Sequence, residues 1–196
     1  MPDYRRWFQA SGIYFFTVVT FNRRELFRDA LARRSLRRAM LEVQALRPFE
    51  MLGIVLLPDH CHCIWKMMPD DDDFSVRWKM VKQRFTKLWL AGGGQDTPVS
   101  ESRIERGERG VWQRRFWEHL IRDQQDFAKH MDYIHYNPVK HGYVPCPHQW
   151  EYSSFQRWVK EGVYSRDWLC QCQQNCQPPD FEVVRSFPIR WENEQV

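Results

Sequence analysis

The chain has no apolar stretch approaching the roughly 20 residues that a bilayer-spanning helix needs. Its first residues, Met1-Pro2-Asp3-Tyr4-Arg5-Arg6, carry charge without an apolar core behind it, so no secretory signal is read there. A soluble, cytoplasmic protein is expected, with no membrane partner. Six cysteines in 196 residues, without such a signal, do not make a disulfide framework. There is no internal repeat. The glycine run at 92–94 is not followed by Gly-Lys-Ser/Thr, which excludes a phosphate-binding loop. From about Cys170 onward hydrophobic periodicity is missing. Cys170-x-Cys172-x-x-x-Cys176 has neither an evident fourth ligand nor the usual zinc spacing, so residues 169–196 read as a tail.

Aromatics, by contrast, are abundant: ten Trp and thirteen Phe, which either fill a core or stack on bases. The net charge of +4 is modest, but its distribution is not even. Residues 1–50 hold ten Arg against five acids, and residues 74–90 hold Arg77, Lys79, Lys82, Arg84 and Lys87 with no acid. Two basic segments flanking one apolar stretch suit a polyanionic partner.

Residues 13–21 (IYFFTVVTF) are β-branched and aromatic and predict a buried strand. Residues 28–47 then repeat at helical spacing, with Ala32, Leu36, Ala39, Val43 and Leu46 on one stripe and Arg33, Arg34, Arg37 and Arg38 largely off it. Residues 49–57 and 61–68 predict two central strands. Asp73 is placed to cap a helix whose stripe is Trp78, Val81, Phe85 and Leu88. Residues 91–110 predict a polar, mobile loop, part of 112–121 a fourth strand, and 126–136 a helix ended by Pro138. This order predicts an α+β sandwich, a mostly antiparallel sheet with helices packed on it, in one domain spanning residues 1–168.

The chemistry concentrates in two places. Residues 52–65 read LGIVLLPDHCHCIW. Side chains alternate along a strand, so His60 and His62 share a face while Cys61 and Cys63 take the other. Two imidazoles on one rigid face can converge on a metal ion or a phosphate. The second place is 130–140, HMDYIHYNPVK, where Tyr133 and Asn137 stand four apart and stack on one helix face. Asn137 offers a third, oxygen, ligand beside His60 and His62. Such a set keeps coordination positions open and suits Mg²⁺ or Mn²⁺, although ligand type alone does not separate these from Zn²⁺. A phenol near a cation becomes a usable nucleophile. Spacing does not choose among Tyr133, Tyr136 and Tyr143.

His60-Cys61-His62 followed by Asp132-Tyr133-Ile134-His135-Tyr136-Asn137-Pro138-Val139-Lys140-His141-Gly142 resembles the single-tyrosine transposases of the His-hydrophobe-His nuclease superfamily, and within it the REP-associated branch. Further matching pieces are Tyr4-Arg5-Arg6, Phe15-Phe16-Thr17-Val18, Leu57-Pro58-Asp59-His60, Asp71-Asp72-Asp73-Phe74-Ser75, Trp112-Gln113, Arg115-Phe116-Trp117-Glu118-His119 and residues 150–155. The resemblance implies a ferredoxin-like, RNA-recognition-like sheet with the two histidines on a central strand. It implies Tyr133 as the nucleophile, attacking single-stranded DNA to leave a 5′-phosphotyrosine and a free 3′-hydroxyl. His60, His62 and Asn137 would hold the divalent ion. The DNA would be repetitive extragenic palindromes, imperfect hairpins beside a short tetranucleotide that Tyr4, Arg5 and Arg6 would contact. The branch implies a monomer, where related mobile enzymes form dimers that swap tyrosine helices. Arg77, Lys82, Arg84 and Lys87 are assigned to the hairpin backbone from charge alone. Cys61 stands where the family has a hydrophobe, and buried Cys behaves as one. The 91–110 loop is longer than the family's minimal version, and the cysteine tail lies outside its pattern.

Three rival readings are separable. A histidine-triad nucleotide hydrolase needs a third alternating histidine, and that position is Ile64. Relaxases share the histidine pair but are larger, with the tyrosine often elsewhere. A domesticated hairpin-binding protein without cleavage activity would not need both histidines and Tyr133 intact.

Overall fold

The apolar run after Gly12 forms β1 (Ile13–Val19), the strand on which the sheet is assembled. Seven consecutive bulky residues leave almost no polar side, and from Tyr14 to Val19 every one is buried. The computed structural model describes residues 9–172, ordered as β1, α1 (Ala30–Leu46), β2 (Phe49–Leu56), β3 (His60–Met67), α2 (Phe74–Ala91), α3 (Glu101–Glu105), β4 (Trp117–Leu120), α4 (Gln124–Lys140) and α5 (Phe155–Lys160). The strands lie in the order β2-β3-β1-β4, and β1 is antiparallel to both β3 and β4. α1 separates β1 from β2, and α2 with the short α3 separates β3 from β4, so this is the β-α-β-β-α-β ferredoxin-like arrangement. The expected α+β class holds, with the histidine pair on an interior strand.

The chain groups into two compact units: the described residues up to Leu52 with Pro58–Ile121, and Gly53–Leu57 with the described residues from Arg122. In the first, the aromatics make the core. Trp65 on β3 stacks on Trp78 of α2 at 4.4 Å and on Phe49 at 4.1 Å, and Phe16 approaches Trp65 at 5.0 Å. None of the large hydrophobics exposed among the described residues is aromatic, so these rings are spent on packing. Asp29 caps α1 and Asp73 caps α2 with their side chains. The two helices run antiparallel: Arg77 near the start of α2 reaches the Arg47 carbonyl, Arg84 pairs with Glu42 at 3.4 Å, and Gly92 abuts Leu31.

In the second unit, Ser154 straps the Gly53–Leu57 segment. Its hydroxyl accepts from the Ile54 N–H at 2.9 Å, and Tyr152 and Trp150 bond the backbone of Leu56. Gly53 lies against α4: a Cβ placed there would come within 2.6 Å of Met131 Sδ. His135, on the same helix, bonds Ser154 Oγ at 2.9 Å, and burial, with the Arg157 charge, pushes its pKa down to about 3, so it stays neutral.

Several expectations need correction. Pro138 does not end its helix. It lies inside α4, which runs on to Lys140 before Gly142 turns the chain at φ 71°. The proline removes one intrahelical bond, but the buried run from Tyr133 to Val139 holds the helix by packing. Leu46 is 61% exposed, off the α1 core stripe, because the helix finishes there. The 91–110 segment contains the short α3. Cys170, read as tail, is buried, and the next N–H, of Gln171, bonds the Pro145 carbonyl at 2.9 Å.

Arg77 is also corrected. It is 1% exposed; its guanidinium forks onto the Asp71 carboxylate and donates to the carbonyls of Arg47, Pro48 and Asp73. It ties the end of α1 to the start of α2 and is buried away from the surface. Arg77→Ala should cost about 3 kcal/mol in urea denaturation, the low end for a broken buried pair because Asp71 stays partly solvated. A cost under about 0.5 kcal/mol would mean the fork is not structural.

Candidate functional site

The turn that delivers the histidines is pinned before they begin. Pro58 and Asp59 link β2 to β3, and the Asp59 carbonyl accepts from both the N–H and the hydroxyl of Thr20, each at 2.9 Å. That fixes the start of β3 against the end of β1. In this register Val19 faces His60 and Thr17 faces His62. The alternation read from the sequence is borne out: the two imidazoles come together edge to face, with ring centres 4.8 Å apart.

Each ring is held through its Nδ1. His60 Nδ1 bonds Asp59 Oδ1 at 2.5 Å, and His62 Nδ1 bonds Thr17 Oγ1 at 2.9 Å across the strand pair. Phe15 stacks on His62 at 5.4 Å. Asp59 is in turn held by Arg23 at 2.8 Å. Burial raises the Asp59 pKa, but the His60 and Arg23 hydrogen bonds and charges outweigh it and hold the carboxyl at about 2. Cys61 and Cys63, on the opposite face, are inert: burial pushes the Cys61 thiol up to about 12 and Cys63 well above its usual value.

Tyr133 and Asn137 lie on α4, one turn apart. Tyr133 is 8% exposed, and the Lys140 ammonium sits 4.8 Å from its ring centre. Asn137 is fully buried, and neither polar atom of its amide has a hydrogen-bond partner. Asp123 caps the helix, accepting from the Asp126 N–H at 2.8 Å. On α2, the Lys82 ammonium donates to the Gln113 carbonyl at 2.7 Å, Arg84 pairs with Glu42, and Lys87 is exposed. Tyr4, Arg5 and Arg6 lie outside the described residues. The roles of Asp59, Thr17 and Lys140 escaped sequence reading, although each stands within a matched motif. Asp59 directly precedes His60, and that adjacency was the available signal.

The chain is 42% identical over 168 residues to a Haemophilus influenzae protein provisionally named REP-associated tyrosine transposase, covering 86% of this chain and 93% of that protein. It is 41% identical over the same length to the REP-associated tyrosine transposase of Escherichia coli, covering 91% of it. A solved structure of a REP-associated tyrosine transposase bound to a REP hairpin superposes with a TM-score of 0.71 at 38% identity, covering 92% of this chain and 96% of that one. No family model matches. The chain belongs to the family of REP-associated tyrosine transposases. Among the described residues, no helix is long and apolar enough to cross a membrane.

The Asp59 carboxylate gives a direct check on the histidine scaffold. Its folded pKa is depressed from 3.8 to about 2, so its stabilisation is present above 3.8 and lost as pH falls toward 2. Asp59→Asn should therefore be less stable than wild type at neutral pH, with the gap closing between these values. Acid-unfolding curves measure this, and a gap unchanged down to pH 2 would contradict it.

Proposed function

We propose that this chain cleaves and rejoins single-stranded DNA beside hairpin palindromes through a covalent tyrosine intermediate. The observation that carries the reading is the paired Nδ1 anchoring of His60 by Asp59 and of His62 by Thr17. With the proton held at Nδ1, each ring binds a metal through Nε2, and a carboxylate behind the imidazole raises its basicity. Asn137 Oδ1 is the third protein ligand. Its buried, unpartnered amide supports this, since such a group is costly unless a functional partner meets it. Two nitrogens and one neutral oxygen fit Mg²⁺ or Mn²⁺, with phosphate and water oxygens completing the shell.

A bound divalent ion would supply charge neutralisation at the phosphate and the phenolate. Tyr133 is the nucleophile. Its Oη bonds to phosphorus and its phenolic proton leaves to solvent. The bond from phosphorus to the 3′ oxygen breaks, and that oxygen takes up a proton. The products are a 5′-phosphotyrosine and a free 3′-hydroxyl. One phosphodiester replaces another, so rejoining needs no ATP. Lys140 holds the Tyr133 ring and adds positive charge beside it.

Hairpin DNA as substrate is supported by the 38% identical relative solved with a REP hairpin. Backbone contacts are assigned to Arg84 and Lys87, and contacts to the flanking tetranucleotide to Tyr4, Arg5 and Arg6. Lys82 already serves the Gln113 carbonyl, so its substitution would also disturb the loop before β4. The chain acts as a monomer.

A labelled hairpin oligonucleotide mixed with protein and Mg²⁺ or Mn²⁺ should give an adduct that survives denaturing electrophoresis. Tyr133→Phe should abolish it and Tyr136→Phe should not. The reverse pattern would move the nucleophile, and tight binding without adduct would leave only a hairpin-binding module. Asp59→Asn should weaken Mn²⁺ affinity by about 10–100-fold. Separately, Arg84→Ala and Lys87→Ala should each reduce the salt slope of hairpin binding by about 1; an unchanged slope would reject these contacts.

A further inference from the structure

The turn after α4 and the end of the described chain bring three soft ligands together, with a fourth, Cys172, beside Cys146. Cys146 and His148 flank Pro147, and Cys170 and Cys172 flank Gln171. Ligand atoms of Cys146, His148 and Cys170 all lie within 4.8 Å of one another. Cys170 Sγ is 3.6 Å from His148 Nδ1, and Cys172 Sγ is 3.0 Å from Cys146 Sγ. Cys146 and Cys170 are buried, His148 is half-buried, and all three cysteines are free thiols. Backbone bonds fix both pairs: Gln171 N–H to the Pro145 carbonyl at 2.9 Å, Gln149 N–H to the Cys146 carbonyl at 3.1 Å, and Cys170 N–H to the Asp167 carbonyl at 3.1 Å.

We propose that Cys146, His148, Cys170 and Cys172 form a closed structural zinc site, separate from the histidine pair on β3. Three thiolates and one imidazole are a standard structural zinc set, whereas Mg²⁺ and Mn²⁺ prefer oxygen. With metal–sulfur bonds of about 2.3 Å and metal–nitrogen bonds of about 2.0–2.1 Å, a tetrahedral sulfur–nitrogen edge is about 3.6 Å, the separation found between Cys170 and His148. A sulfur–sulfur edge is about 3.8 Å, so Cys146 and Cys172 would part slightly on loading. His148 Nδ1 now lies 3.0 Å from the Arg166 carbonyl. As a ligand it binds through the Nδ1 lone pair with its proton on Nε2, and the carbonyl shifts away. Uptake releases the three thiol protons to solvent, so affinity rises with pH. Four protein ligands leave no open position, so the site's role is to fasten the chain after α5 to the turn that follows the tyrosine helix. The tail motif looked incomplete because two of the four ligands lie upstream, at 146 and 148.

The full chain, purified under reducing conditions without chelator, should carry about one zinc ion by elemental mass spectrometry. Cobalt(II) added to the metal-free chain should give thiolate-to-cobalt charge-transfer absorption and tetrahedral d–d bands, saturating near one equivalent. Cys170→Ser and Cys146→Ser should lose the zinc, while the His60→Ala, His62→Ala double variant keeps it. Should the serine variants fail to fold, thiol labelling of wild type decides: chelation should expose three further cysteines to the reagent and lower the melting temperature by several degrees. Absence of the charge-transfer band in wild type would overturn the site, as would zinc lost only from the histidine double variant. A Cys146–Cys172 cross-link in the anaerobically purified chain would overturn it too.

Discussion

Two imidazoles at the head of an interior strand are tolerable only when their inner nitrogens are committed, and the architecture depends on that commitment. A buried polar atom without a partner costs about 1–3 kcal/mol. Here the strand pairing itself provides the partners. Antiparallel register sets Thr17 opposite His62, and the turn preceding β3 sets Asp59 beside His60. The sheet, the turn and the ring orientations are one constraint rather than three. A one-residue slip of β3 against β1 would send the histidines to the face that now holds Cys61 and Cys63.

Around that constraint the core is built from rings. Phe16, Trp65, Trp78 and Phe49 interlock between sheet and helix. The basic residues of α1 and α2 divide by role. Arg77 is internal, joining helix ends through carbonyls, whereas Arg34, Arg37, Arg38, Lys79 and Lys87 are exposed. Composition cannot tell these roles apart, because a guanidinium that ties backbone and one that meets phosphate are the same residue at the same helical spacing.

That division marks what was legible in the sequence. Strand alternation around His60 and His62, the apolar stripes of α1 and α2, and the Asp73 cap depend on near neighbours, and their periods show. The motif order carried the ferredoxin-like topology. What did not show depends on distant partners. Pro138 is accommodated by packing that surrounds a helix from several sides. Arg77 was misread because Asp71 and the carbonyls it serves converge only on folding. The cysteines at 170 and 172 looked incomplete because Cys146 and His148 reach them through a fold of some two dozen residues. Thr17 sits 45 positions from His62, beyond any local pattern.

Gly53 has a further implication. Its missing side chain is what permits Met131 to lie against the strand, since a methyl there would fall within 2.6 Å of the sulfur. The close approach of the Met131 side chain to that segment therefore rests on a hydrogen atom. A Cβ there would push aside the flexible thioether end of Met131, on the same helix that carries Tyr133.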